Sequence, residues 1–499
     1  MSRSNRYFES DTSLQSLGRK TFQGGVATVG GQALIFVVQL LSTMVLGRIL
    51  TPDDFGLIGM VAVILNFVAL FKDFGLSRAT MQRPSITIQQ ISNLFWFNLM
   101  VSVLLGCILV GGARSVAAFY GRAELVGITV ALGVLVIFQG VGLQHRALMA
   151  RRMEFVSLAG VALASHFIGA CLAVYMALHG YGYWSLVALT GVPPLVDALL
   201  CVLITGWLPG LPRRNVGTLP FLWYGGNMMG FNLVNFCSRN LDGILVGKYL
   251  GANVLGYYNM SYRMLLMPLQ QINAPLGRPM LVALSKIQNE PERYRLAYRK
   301  SLRVVGALTI PVVFFLGSCP TLLLTTLLGE QWRESAPIFL ALTPFAFVSA
   351  TNVATGWVYS SLGHTDRQFR MGLVTSSVMV LSIIIGLQYG VLGVAIAASI
   401  ASVALRVPVV SYCFRGTPLR LADFFQSIAR STFSSLLALL SAHLAVFCLL
   451  EITELHSLLE LGCMVCVFWG VYALCLLSDR SSGGFSHTFL SLIKRKVES

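Results

Sequence analysis

Residues 46–60 read LGRILTPDDFGLIGM, and residues 246–260 read VGKYLGANVLGYYNM. At a constant offset of 200, Gly47 stands against Gly247, Arg48 against Lys248, Leu50 against Leu250, Gly56 against Gly256 and Met60 against Met260. The register continues at Leu76–Arg78 (LSR) against Leu276–Arg278 (LGR), and near the end of each unit YGYWSLVA (181–188) resembles YGVLGVA (389–395) at an offset of 208. Three agreements in order at nearly one offset indicate an internal duplication.

What is duplicated follows from the medium. Of 499 residues, 56% are hydrophobic and 11% charged, where a soluble domain carries about 25% charged residues. So little polar surface cannot cover a water-soluble fold. The apolar residues fall in fourteen blocks of the length that spans hydrocarbon, at about 26–47, 55–71, 93–112, 125–144, 157–178, 183–206, 220–246, 255–275, 304–325, 336–360, 372–388, 391–412, 431–450 and 459–477. The expectation is an all-α polytopic membrane protein with about fourteen transmembrane helices: two six-helix bundles of parallel topology plus two C-terminal helices. Its organisation reads as a cytoplasmic N-terminus (1–24), a first bundle (25–206), a cytoplasmic linker (207–219), a second bundle (220–413), the last two helices with their preceding loop (414–478) and a cytoplasmic tail (479–499).

Charge orients this scheme. Of 36 Lys and Arg, 28 fall in the two termini and the alternate loops facing their side, 5 fall in the other loops, and Arg239, Arg263 and Arg406 lie inside predicted helices. Positive charge is retained in the cytoplasm during insertion, so both termini are expected there. A nucleic-acid function would gather its cations in one soluble domain, and no loop is long enough to form one. Residues 1–24 are polar and basic and the first apolar block is too long for a cleavable signal core, so that block reads as an uncleaved anchor. The pair Cys463 and Cys466 reads as packing inside the last span.

Six helices separate the two copies of the corner, an even number, so the copies have the same orientation and are related by a twofold axis along the membrane normal. Duplicated helical halves with short loops suit a transporter that works by alternating access. No phosphate-binding loop of the form G-x-x-x-x-G-K-[ST] is present, so energy is expected from Na+ or H+ coupling, from potential or from downstream use of the cargo, with no cofactor or metal.

A charge in the bilayer costs roughly 2.5–3.5 kcal/mol or more, which marks it for function. Arg239 and Asp242 are three residues apart on the seventh helix, within pairing reach. Arg263 lies eight residues past Leu255 on the eighth helix, and Arg239 eight before Gly247, so both cations lie roughly 12 Å below the outer corner. Either Asp242 neutralises the cluster as a structural pin, or one acid against two arginines leaves a cationic cavity for an anion, to which guanidinium can offer a fork of donors. Arg48 with Lys248, and Arg78 with Arg278, extend this to a ladder for phosphate toward the two sides, or else snorkel to headgroups. Arg406, about seven residues from a helix end, reads as snorkelling. Asp197, after a Val-Pro-Pro sequence that frees carbonyls, is the coupling-ion candidate. His166 and His443 read as packing residues.

GRILTPDDFGLIGMV (47–61), LFKDFGLSRATMQR (70–83), AAFYGRAEL (117–125), RNLDGILVGKYLGANVLGYYNMSYRMLLMPLQ (239–270) and LLGEQWRESAP (327–337) resemble the polysaccharide flippases of the multidrug, oligosaccharidyl-lipid and polysaccharide exporter superfamily, in the exopolysaccharide and colanic-acid-type Wzx branch. The resemblance runs from about residue 20 to 415. It implies translocation of undecaprenyl-pyrophosphate-linked oligosaccharide repeat units from the cytoplasmic to the periplasmic leaflet of the bacterial inner membrane. It also implies a cationic cavity between two bundles, to which Arg239, Asp242 and Arg263 belong, and work beside a polysaccharide polymerase and a chain-length regulator. Gly243 stands where the family often has a polar residue, so sugar contacts there do not carry over. The rivals are a multidrug antiporter of the same superfamily, which would want buried acids, and a membrane-embedded polymerase or glycosyltransferase, which would want a large outer catalytic loop.

Overall fold

The computed structural model describes residues 14–72, 80, 86–213, 240–450 and 457–478, and among these the chain is helical with no strand. The first helices are α1 (Leu14–Ile49), α2 (Pro52–Lys72), α3 (Ile88–Tyr120), α4 (Glu124–Arg151), α5 (Phe155–Leu178) and α6 (Trp184–Thr205). After them come α7, described over 240–250, and α8 (Ala252–Lys286), α9 (Pro291–Ser318), α10 (Pro320–Leu328), α11 (Ser335–Ser361), α12 (Thr365–Leu387), α13 (Gly390–Phe414), α14 (Leu421–Leu450) and α15 (Ser457–Leu477). Twelve of the described helices are long and apolar enough to cross a membrane. Of the fourteen expected spans, the seventh lies mostly outside the described residues. The eighth corresponds to α8, which does not meet the same test of length and hydropathy; Pro268, Pro275 and Pro279 lie inside it, and so does Arg263.

The chain forms two compact units, Met1–Gly256 and Tyr257–Ser499. In the first, α3 lies along α4, α5 along α6, α1 against α5, and α4 against α6. The helix ends are set by local chemistry. Thr87 caps α3 in a two-way box with Gln90, and Gly121 (φ 72°) ends it in the left-handed conformation that only glycine adopts freely.

In the second unit α12 pairs with α13, α14 with α15, and α9 packs against both α11 and α14. Its core gathers Tyr294, Tyr298, Trp357, Val410, Phe414 and Phe424. The last two helices are fastened to it by polar contacts: buried Asp423 at the start of α14 accepts from Arg295 Nε (2.8 Å) and Nη2 (3.0 Å), and the Tyr472 hydroxyl on α15 donates to the Ala307 carbonyl at 2.8 Å. Large apolar side chains such as Leu381, Ile400, Phe433 and Leu444 stay exposed, the surface a protein presents to hydrocarbon rather than water.

Candidate functional site

The two copies of the repeated corner meet each other. A β-carbon built on Gly56 would lie 1.7 Å from the Ala252 carbonyl oxygen, and one built on Gly256 would lie 1.9 Å from the Pro52 carbonyl oxygen. Ala252 corresponds to Pro52 at the offset of 200, so the contact is reciprocal: each glycine touches the equivalent of the residue that touches its partner. Direct apposition of two backbones is open to glycine alone, and small residues permit the same close approach wherever membrane helices cross. Gly247 belongs to the same surface, with Met60 Cγ and a Tyr120 ring carbon 3.3 and 3.1 Å from its β-carbon position.

The first corner is built by capping. Thr51 Oγ1 and its backbone amide both donate to Asp54 Oδ2 (2.7 and 2.9 Å), which fixes the residue before α2 and leaves Pro52 as the helix's first residue. Asp53 is thereby turned outward to Arg122, whose Nη1 and Nη2 donate to its two oxygens at 2.9 and 2.7 Å while Nη2 also donates to Glu124 at 3.1 Å. These bonds, to Asp53 first and then Glu124, push the Arg122 pKa up from its ordinary value. The second corner turns at Gly251 (φ 89°). Exposed Lys248 donates to the Phe119 carbonyl in the last turn of α3, where the helix dipole favours a cation, and lies 4.8 Å from the centre of the Phe119 ring. Arg48 is exposed at the matching place in α1.

Of the inward charges, Asp242 is half-buried on α7 and accepts from the Gly243 amide at 2.8 Å. Arg263 on α8 keeps an accessible surface although protein surrounds it, and it makes no ion pair among the described residues. Arg239 and Arg78 lie outside the described residues, and Arg278 is on α8 with its side chain outside them. Asp197 is engaged: Arg146 Nη1 on α4 donates to its Oδ1 at 2.8 Å, with the Asp197 side chain 17% exposed.

Arg406 departs from the snorkelling expectation. It is buried, its Nη1 donates to Asn352 Oδ1 (3.1 Å), its Nη2 to Thr351 Oγ1 and carbonyl (3.0 and 3.1 Å), and its guanidinium lies 4.5 Å from the centre of the Phe424 ring. Depth along a helix sets how far a side chain must reach, but rotation of the helix decides whether it faces lipid, and α13 turns Arg406 toward α11. His166 and His443 each make a contact one turn back in their own helix, Nδ1 to the carbonyls of Ala162 (2.8 Å) and Leu439 (3.1 Å).

Sequence reasoning missed Asp53, Arg122 and Arg146. Asp53 and Arg122 each carried a signal: an extra acid beside a helix cap, and an Arg two residues before an acid at a helix start. Their pairing across 69 residues carried none.

The family model described as polysaccharide biosynthesis protein matches residues 45–337. The chain is 24% identical over 386 residues to the lipopolysaccharide biosynthesis protein WzxC of Escherichia coli (strain K12), covering 76% of this chain and 78% of the relative. It is 25% identical over 303 residues to the succinoglycan biosynthesis transport protein ExoT of Rhizobium meliloti (strain 1021), covering 61% of each. Among solved structures, the lipid II flippase MurJ in an inward closed conformation superposes with a TM-score of 0.69 at 14% identity, over 95% of this chain and all of that one. An inward-facing multidrug resistance MATE family transporter superposes at 0.60 with 13% identity, over 80% of this chain and 94% of that one. At these identities the two structures show the fold alone.

Proposed function

The chain belongs to the polysaccharide biosynthesis protein family, and we propose that it is a flippase for lipid-linked oligosaccharide, a transporter rather than an enzyme. Its cargo is an undecaprenyl-pyrophosphate-linked repeat unit, carried from the cytoplasmic to the periplasmic leaflet of the bacterial inner membrane for exopolysaccharide or capsule assembly. The observation that supports this most directly is Arg263, an arginine on α8, the helix that corresponds to the eighth expected span, which stays accessible and makes no ion pair among the described residues. Such a side chain is costly to keep in a membrane unless it serves an anion that comes and goes.

In this reading Arg263 and Arg239 hold the diphosphate through forked hydrogen bonds, and Asp242 moderates their hold so that the cargo can leave. Arg48 with Lys248, and Arg78 with Arg278, receive the phosphate on the two sides. The bundles 25–206 and 220–413 alternate access to the site, with the glycine corner closing its outer end. Asp197 is the coupling group for Na+ or H+, and Arg146 is the internal cation that exchanges with it. Both termini are cytoplasmic, and a polymerase and a chain-length regulator take over the delivered units.

The test is a clean deletion in a host without a second flippase, followed by assay of lipid-linked intermediates on each leaflet. Accumulation on the cytoplasmic leaflet with loss of polymer is expected. Undiminished polymer output would refute the assignment.

A further inference from the structure

Beyond α6 the chain does not leave the first unit at once. Residues 207–213, WLPGLPR, are strapped across the first turns of α3 by five hydrogen bonds. The Ser92 hydroxyl accepts from the Gly210 amide (3.0 Å) and Trp96 Nε1 donates to the Gly210 carbonyl (2.8 Å). Asn93 pairs both ways with the Arg213 backbone, accepting its N–H at 3.0 Å and donating to its carbonyl at 2.7 Å, and Gln89 donates to the Leu211 carbonyl at 2.7 Å. At the other end Trp207 is 2% exposed and packs edge-on against Phe95, with His145 5.2 Å away between ring centres.

The sequence of the strap has a period of three. Residues 207, 210 and 213 make all the attachments just described except the one to the Leu211 carbonyl. Leu208 and Leu211 each precede a proline, which holds them extended, and three residues per turn is the repeat of the polyproline helix, so the two leucines share a face. Both are 80% exposed. They lie at the foot of a larger apolar surface: Trp96, which holds the strap, begins the exposed row Trp96, Met100, Leu104, Ile108 at four-residue spacing along α3. A row of bulky apolar side chains on a membrane helix faces hydrocarbon, and tryptophan is enriched where hydrocarbon gives way to headgroups. Arg213 follows immediately and is exposed, where a cation meets anionic headgroups.

We propose that residues 207–213 are an interfacial membrane anchor, in which Leu208 and Leu211 enter the headgroup–acyl boundary of the bilayer beside Trp96 and Arg213 meets lipid phosphates. The occupant of the exposed leucine face is lipid, because that face continues the hydrocarbon-facing row of α3. The segment that follows α6 is therefore fixed twice, to α3 and to the membrane surface. This holds whatever the cargo is.

The test uses the full-length protein in vesicles of phosphatidylethanolamine and phosphatidylglycerol, with the environment-sensitive fluorophore NBD on Leu211→Cys. Asn289→Cys, in an exposed turn, is the aqueous reference, and wild type labelled in parallel measures reaction of the native cysteines. Emission at 211 should be blue-shifted relative to 289, quenched by lipids spin-labelled near the headgroup and protected from iodide. Asn93→Leu should move that emission back toward the reference. Iodide quenching at 211 equal to that at 289 would overturn the proposal. So would protection in native membranes that is lost in the vesicles, since a protein partner would then be the occupant.

Discussion

Gly256 lies so close to Pro52 that a β-carbon added to it would sit 1.9 Å from the Pro52 carbonyl oxygen. Backbone cannot yield as a flexible side chain can, so the two corners must separate to admit even one methyl group.

Gly256→Ala and Gly56→Ala should therefore each reduce export sharply while protein is still found in the membrane. Gly243→Ala, whose new carbon would meet Val63 at an ordinary 3.5 Å, is the control for substituting a helical glycine. Polymer output normalised to protein level decides, and export by Gly256→Ala equal to that of Gly243→Ala would remove the corner from the mechanism.

For the charges, Arg263→Ala and Arg239→Ala should abolish export at normal abundance, and lysine at either position should recover only part of it because it lacks the guanidinium fork. If the cluster is instead a structural pin, Asp242→Asn should lower abundance as much as the arginine changes, since a broken buried pair leaves a charge stranded. Full export from Arg239→Gln combined with Asp242→Asn would count decisively for the pin.

Asp423→Asn should loosen the attachment of α14 to α9. Asp423 is buried but Arg295 remains partly exposed, so the freed guanidinium can turn to water and the loss is that of charge-assisted hydrogen bonds, about 1.5–3 kcal/mol. Thermal unfolding in detergent should show it, with earlier proteolysis in the loop before α14. An unchanged unfolding temperature would mean that apolar packing alone holds the last two helices.

Arg406 offers the opposite case, a buried cation served by neutral acceptors. Arg406→Lys should cost about 2 kcal/mol, because one ammonium cannot reach Asn352 and Thr351 together. Arg406→Leu should be tolerated at least as well, since it removes the need to bury a charge. A lysine variant as stable as wild type would contradict this account.

The all-helical membrane architecture was legible in the sequence because the bilayer imposes apolar blocks long enough to cross it, and the corner was legible because it is repeated in register. The corner was visible as an echo because both copies answer to the same constraint, a backbone approach that excludes side chains. The pairings Asp53 with Arg122 and Arg146 with Asp197 were not legible, because charges 69 and 51 residues apart leave no periodic trace and meet only after the helices pack. Arg406 was misplaced because its depth could be read from sequence and its rotation could not.

The reciprocal contact of Gly56 with Ala252 and Gly256 with Pro52 also bears on ancestry. A surface in which residue i touches the equivalent of j, and j the equivalent of i, is self-complementary. One corner carried on a single half-length chain could have closed against an identical corner on a second copy lying the same way up in the membrane. Under that ancestry, fusion of two such genes would remove the requirement that one residue serve both sides and leave position 52 free to differ from 252 and position 48 from 248. The two glycines would not be released in the same way, because each still faces a carbonyl that leaves no room for a side chain.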